Sequence, residues 1–406
     1  MGVTMTPKIR SDLLVFSHLR WDFVFQRPQH LLTRSAQHRR VYFIEEPVFE
    51  PDIPPALHIS ARGERLYVTV PHLPSGRSAD ETTAQLKNLI DELVRERIST
   101  SYIAWYYTPM ALQFTRHLKP TTIVYDCMDE LSNFKFAPPE LCTLENELFR
   151  RANVVFTGGV SLYEHKCHMH VNIHPFPSSV DVAHFRAART IADEPADQVA
   201  IPRPRIGYAG VIDERLDLAL ISGVAEARPE WQLVLVGPVV KIDPESLPRL
   251  PNIHYLGGRS YADLPAYLSG WDVAMMPFAR NDATRFISPT KTPEYLAAGR
   301  RVVSTSIRDV VRTYGDAGLV QIADEPGACV AAIEASLASP DREDWLRRVD
   351  AYLSMSSWDE TFRAMWQLID AATEQPAVRR VVRPGGRVNV PTPAAGVPAV
   401  LRLPPG

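Results

Sequence analysis

Short apolar runs alternate with amphipathic stretches along most of the chain. In the first half, Leu13-Leu14-Val15-Phe16, Val41-Tyr42-Phe43-Ile44, Tyr102-Ile103-Ala104-Trp105, Thr122-Ile123-Val124-Tyr125 and Val154-Val155-Phe156 are almost continuously apolar. Strands buried on both faces of a parallel sheet have this signature. Between them the spacing predicts helices over 28–37, 81–98, 110–117, 139–151 and 161–168. The clearest of these places Leu86, Leu89, Ile90, Leu93, Val94 and Ile98 on one stripe. Leu66-Tyr67-Val68-Thr69-Val70 reads as a strand added at one edge.

From Arg186 to Pro204 the periodicity lapses into Ala, Asp, Glu and Pro, the composition of an interdomain linker. A second series follows, with strands near 206–209, 232–236, 253–256, 273–276, 301–304 and 319–322 and helices near 216–227, 263–269 and 327–338. Two successive series predict an α/β protein with two doubly wound, Rossmann-like domains, over 1–185 and 205–343. Ligands of such sheets bind beyond the carboxyl ends of the strands, so the expected site is the cleft that the two domains face. A helical pattern returns over 344–374 through Leu353, Trp358, Phe362, Met365, Trp366, Leu368 and Ile369. The stretch 375–406, rich in Pro, Gly, Val and Ala, cannot build a core and is expected to be a disordered tail.

Composition narrows the function classes. The chain has 406 residues, 45% apolar and 22% charged, with a net charge of −3, so it carries no basic field of the size that nucleic acid requires. Its four cysteines, Cys127, Cys142, Cys167 and Cys329, lack metal-site spacing and read as reduced thiols. Met1 to Arg10 has no apolar signal core, and no apolar run approaches the ~20 residues that span a bilayer. The expected location is cytoplasmic.

The most informative run is Ile287-Ser288-Pro289-Thr290-Lys291-Thr292-Pro293-Glu294-Tyr295-Leu296-Ala297-Ala298-Gly299, followed by the apolar Val302-Val303. Pro293 is comfortable only in the first turn of a helix, which puts the start near Thr290 or Thr292, and Gly299 then stops the helix. Lys291 and Glu294 thus stand at a helix mouth, where a lysine can neutralise phosphate and a glutamate can accept hydrogen bonds from ribose hydroxyls. This is a kit for a nucleoside diphosphate; the bland alternative is a solvated Lys–Glu pair on an ordinary junction.

The S-P-x-K-x-x-E-Y-L-A-A-G pattern resembles the nucleotide-binding segment of retaining GT-B glycosyltransferases, the group that includes glycogen synthase and many bacterial cell-surface sugar transferases. The first half is similar to a teichuronic-acid-type branch of that group. Trp21-Asp22-Phe23-Val24-Phe25-Gln26-Arg27-Pro28-Gln29-His30, Val124-Tyr125-Asp126-Cys127-Met128-Asp129-Glu130 and Phe176-Pro177-Ser178-Ser179-Val180-Asp181 carry that likeness. The resemblance implies sugar transfer from a UDP- or GDP-sugar donor to a glycan or lipid-linked acceptor. It implies no cofactor and no metal, since the D-x-D element is absent, and it allows peripheral contact with the inner membrane face. It also implies that the 344–374 helix crosses back to the N-terminal domain.

Donor contacts then fall on Lys291 and Glu294, and on Gly210 and Arg215 after the first strand of the second domain. Gly210 lets backbone approach a ligand, and Arg215 can hold phosphate in a bidentate fork. The alternatives are a turn glycine and an arginine paired with Glu214 or Asp217. Arg259, after Gly257-Gly258, could pass beside the base. On the acceptor side Asp126 comes directly off a strand and is the preferred catalytic carboxylate, with Asp129 the other choice and His18 on a neighbouring loop. Trp21, Phe25, Gln26 and Arg27 could hold an acceptor or simply brace the first helix. Many relatives have a second glutamate eight positions before the one matching Glu294; here that position is Phe286, with Asn281 and Asp282 nearby. Rival readings are a nucleotide-sugar epimerase and a non-catalytic sugar-nucleotide-binding partner.

Overall fold

The computed structural model describes residues 11–374; the expected tail over 375–406 lies outside the described residues. The chain divides into two compact units. Of the described residues, the first takes in 11–158, 163–176 and 362–374, and the second takes in 159–162 and 177–361.

The first unit is built on β1 (Asp12–Phe16), β2 (Val41–Ile44), β3 (Val48–Glu50), β4 (Ala56–Ala61), β5 (Leu66–Pro74), β6 (Tyr102–Tyr106), β7 (Thr122–Cys127), β8 (Val154–Thr157) and β9 (Ile173–Pro175). Their order is β3-β5-β2-β1-β6-β7-β8-β9, with β4 paired to β5. All pairings are parallel except β4 with β5. The continuous apolar runs are the central strands, and every residue of β1, β2, β6 and β8 is buried, as strands covered on both faces require. The Leu66 strand is not an edge. β3 and β4 lie beyond it, and sequence reading missed both because their exposed, mixed residues carry no apolar run. The long amphipathic helix runs Ala79–Arg97. It opens two residues before the expected start at 81 because Ser78 and Glu81 form a capping box, with the Ser78 N–H donating to Glu81 Oε2 at 2.9 Å. Within this unit the C-terminal helix (Trp358–Glu374) sets Trp366 against Trp105 and beneath the Arg39 guanidinium, which stands 3.6 Å from the ring centroid.

The second unit has a six-stranded parallel sheet of β10 (Arg205–Ala209), β11 (Gln232–Val236), β12 (Ile253–Gly257), β13 (Val273–Met276), β14 (Arg301–Ser304) and β15 (Val320–Ile322), ordered β12-β11-β10-β13-β14-β15. This is the doubly wound order, with its switch point between β10 and β13. The 186–204 stretch is no slack linker. It folds onto the second unit: Gln198 is fully buried, donates to the Tyr267 carbonyl at 2.9 Å and accepts from Trp271 Nε1 at 3.0 Å. Glu194 is ion-paired with Arg203 and Arg205. Its polar composition hid this, because here polar groups bury in pairs.

β10 is fixed from below by Trp271. A Cβ built on Gly207 would stand 1.8 Å from the indole, so the ring occupies the space of the missing side chain. Gly207→Ala should therefore destabilise the second unit by about 1–3 kcal/mol or more, the cost of overpacking a filled core. Urea unfolding followed by tryptophan fluorescence reads this as a lower midpoint.

Candidate functional site

The carboxyl end of β10 is where the second unit brings its candidate residues together. The helix carrying the informative run is Lys291–Ala297, with Pro293 in its first turn. Gly299, at φ +73°, ends it, and the Gly299 and Arg300 N–H groups return to the Leu296 and Tyr295 carbonyls. Tyr295 fastens this helix to the strand end: its hydroxyl accepts from the Ala209 N–H at 2.7 Å and donates to the Ala209 carbonyl at 3.0 Å. The chain then turns at Gly210, whose φ of +154° suits glycine.

Lys291 lies across that turn. A Cβ on Gly210 would fall 1.9 Å from Lys291 Cε and 2.7 Å from its Nζ, so the lysine stem fills the space above the bare Cα. The ammonium sits 5.9 Å from the centroid of the Tyr208 ring, a cation–π contact that steadies it. Gly237, at the end of β11, makes room for this turn: a Cβ there would strike the Gly210 carbonyl at 1.8 Å. Sequence reasoning passed over Tyr208, Tyr295 and Gly237. The signals were present in the tyrosine of E-Y-L-A-A-G and the glycine closing an apolar strand.

Glu294 is half-buried one turn along the same helix. Burial pushes its carboxyl up to about 7, while the Lys291 charge and a hydrogen bond with Thr290 pull it down. The group is thus a poorly solvated acceptor beside a cation, suited to paired hydroxyls. The fork of Arg215 closes on buried Asp213 (Nη2 to Oδ2 2.6 Å), a partner that the sequence expectation did not name. Arg259 does not lie open beside a base. It is braced by Asp197 at 2.5 Å and by the Tyr267 hydroxyl. Phe286 is buried with the Arg285 guanidinium 5.2 Å from its ring centroid, and Asn281 is occupied in capping the following turn.

In the first unit the structure corrects the preferred carboxylate. Asp126 has no exposed surface and receives the Arg27 guanidinium at 2.9 Å. Arg27, also buried, donates to the Phe176 carbonyl at 2.6 Å. The two residues expected to serve separate roles form one strut tying β7 to the first helix, so neither presents its charge to a substrate. Burial raises the Asp126 carboxyl and the Arg27 charge opposes that rise. Trp21 is buried against Phe43, and Gln26 precedes the Arg27–Ala36 helix with its N–H donated to Gln29 Oε1 at 3.0 Å. That cluster takes the bracing alternative, apart from Phe25, which is 37% exposed. His18, after β1, and Asp129, after β7, are half-buried on loops at the carboxyl ends of their strands. Among the described residues no group of three or more His, Cys, Asp or Glu is arranged to hold a metal ion.

Residues 203–339 match the family model described as glycosyl transferases group 1. The matched residues lie within the second unit. A stretch of 105 residues is 31% identical to the putative teichuronic acid biosynthesis glycosyltransferase TuaH of Bacillus subtilis (strain 168). That match covers 25% of this chain and spans about a quarter (26%) of the relative's length. Among solved structures, the sucrose-phosphate synthase of Thermosynechococcus elongatus aligns over 89% of this chain and 99% of its own, at TM-score 0.67 and 15% identity. The trehalose-6-phosphate structure from Escherichia coli bound with UDP-2-fluoro glucose aligns over 90% and 100% at 0.65 and 10%. The Anabaena Alr3699/HepE complex with UDP and glucose aligns over 89% and 100% at 0.65 and 13%. At such identities these structures establish the two-domain GT-B fold.

Three expectations follow from this geometry. Tyr295→Phe removes two hydrogen bonds from the buried Ala209 backbone with almost no change in volume, and should cost about 1–3 kcal/mol in urea unfolding. Asp126→Asn leaves the Arg27 cation buried and uncompensated, and should lower stability by about 3–5 kcal/mol. Glu294 binds its proton more tightly folded than unfolded, so its contribution to stability is lost as pH rises from about 4.5 through about 7. Glu294→Gln should remove that decline, so its unfolding midpoint relative to the parent should rise between pH 5 and pH 8.

Proposed function

We propose that the protein is a glycosyltransferase that moves a sugar from a UDP- or GDP-sugar to a glycan or lipid-linked acceptor, with retention, in the synthesis of a cell-surface polysaccharide or glycolipid. The observation that carries this reading is the seat of Lys291 on Gly210, with Glu294 one turn away, inside the segment that matches the glycosyl transferase model. The chemistry agrees. Breaking the bond between sugar and diphosphate leaves charge on the phosphate, and a cation fixed in advance by Gly210 and Tyr208 stabilises that charge without reorganising. Arg215, part-exposed and steadied by Asp213, serves as a second positive charge beside the diphosphate. Glu294 accepts the ribose hydroxyls, and on binding gives up its proton to do so.

The acceptor side belongs to the first unit. With Asp126 committed to Arg27, this reading assigns the acceptor hydroxyl to His18 and Asp129, half-buried at the carboxyl ends of β1 and β7. The related TuaH, named for teichuronic acid biosynthesis, supports a cell-surface polymer or glycolipid as product. No helix among the described residues is long and apolar enough to cross a membrane; cytoplasmic residence, with peripheral contact at the inner membrane face, accords with a soluble nucleotide-sugar donor.

Lys291→Ala should weaken UDP or GDP binding by about 1.5–3 kcal/mol, the loss of a charge-assisted contact, without lowering the melting temperature. Calorimetric titration checks it, and unchanged affinity would remove the donor site. Turnover should be equal in excess chelator and in magnesium, because basic side chains serve as the counter-charge; a loss that added metal restores would reject that. Sugar release only when an acceptor is supplied separates transfer from epimerisation and from simple binding.

A further inference from the structure

The opposite pole of the second unit holds an excess of arginine that the donor site does not explain. Arg300 leads into β14, directly after the turn that ends the Lys291 helix. Its Nη1 donates to the Trp271 carbonyl at 2.5 Å. Its Nε is shut off from solvent and has no hydrogen-bond partner. Burial first, and then the Arg342, Arg203 and Arg189 charges, together lower its pKa to about 10, against one raising contribution from Asp272. Arg342, exposed at the start of the Arg342–Leu353 helix, reaches back to the Gly299 carbonyl only at 3.3 Å.

The nearby carboxylates are already taken. Asp272 is held by Arg203 at 2.6 Å, Asp350 is held by Arg189 at 2.8 Å, and Asp341 is held by Arg301. Among the described residues this leaves Arg300 and Arg342 on either side of Gly299 without an ion pair. A buried guanidinium with idle donors is costly unless an anion meets it. The Arg342 charge acts directly on Arg300, and two neighbouring cations without a carboxylate suit a tetrahedral oxyanion, which can accept from more than one donor.

We propose that Arg300 and Arg342 form a phosphate-binding site at the Gly299 turn, separate from the donor site at the other end of the same helix. The ligand class is a free phosphate or the phosphate group of a small metabolite. The site does not depend on the glycosyltransferase reading, because none of its residues touches Lys291, Glu294 or Gly210.

The test uses the full chain carrying Lys291→Ala, so that phosphate cannot report on the donor site. Inorganic phosphate titrated calorimetrically should bind, and it should raise the melting temperature. Adding Arg342→Ala should weaken that binding at least tenfold, whereas Arg347→Ala, an exposed arginine one turn along the same helix, should leave it unchanged. Arg342 makes one long contact, so its removal tests the site without testing the fold. Arg300→Lys keeps the charge, loses the fork and should also weaken binding, with the melting temperature in the absence of phosphate confirming that the variant is folded. Absence of phosphate binding in the Lys291→Ala protein, or equal affinity with and without Arg342, would overturn the site. A sugar monophosphate that binds more tightly than inorganic phosphate, with the same dependence on Arg342, would identify the esterified group as the ligand; equal or weaker binding would identify free phosphate.

Discussion

The candidate donor site depends on one steric fact: nothing but hydrogen can stand on the Cα of residue 210. The Lys291 stem occupies that space, the Gly210 backbone occupies the space that Gly237 leaves open, and Trp271 occupies the space left by Gly207. Three glycines on two adjacent parallel strands thus let a lysine, a backbone turn and an indole approach distances that any side chain would forbid. The Tyr295 hydroxyl then fixes the strand end to the helix that carries the lysine, closing both hydrogen-bonding groups of Ala209. The ammonium is therefore positioned by packing before any ligand arrives, which is what electrostatic stabilisation of a leaving phosphate requires.

Much of this was legible in the sequence because a doubly wound sheet writes itself in near-continuous apolar strands. Leu13–Phe16 and Val41–Ile44 became central strands, the second-unit runs became the six strands of its parallel sheet, and Pro293 and Gly299 bracketed the helix that precedes β14. Legibility failed where burial is achieved without apolar residues. Glu194, Gln198, Arg203 and Arg205 look like solvated linker, yet they bury through ion pairs and amide hydrogen bonds. β3 and β4 fail for the opposite reason: too little of them is buried to impose a pattern.

Asp126 shows the same limit within the site. A carboxylate leaving the carboxyl end of a strand is a good candidate for chemistry, and Arg27, one helix away, is a good candidate for binding. The two lie 99 positions apart in sequence, and no local pattern reveals that they meet. Once they do, each cancels the other's cost of burial and neither remains available. The strut instead fixes the end of β7 from which the Asp129 loop departs.

Glu294 stands at the other extreme, a carboxyl that the fold leaves poorly solvated beside the cation that defines the site. In the free protein its burial favours the protonated form and weakens the fold as pH rises, so stability alone would select glutamine or an apolar residue there. Retaining an ionisable acid at such a position makes physical sense if a ligand's hydroxyls repay the lost solvation. The strain in the free protein and the affinity for a ribose then arise from the same desolvated carboxyl, and removing one removes the other.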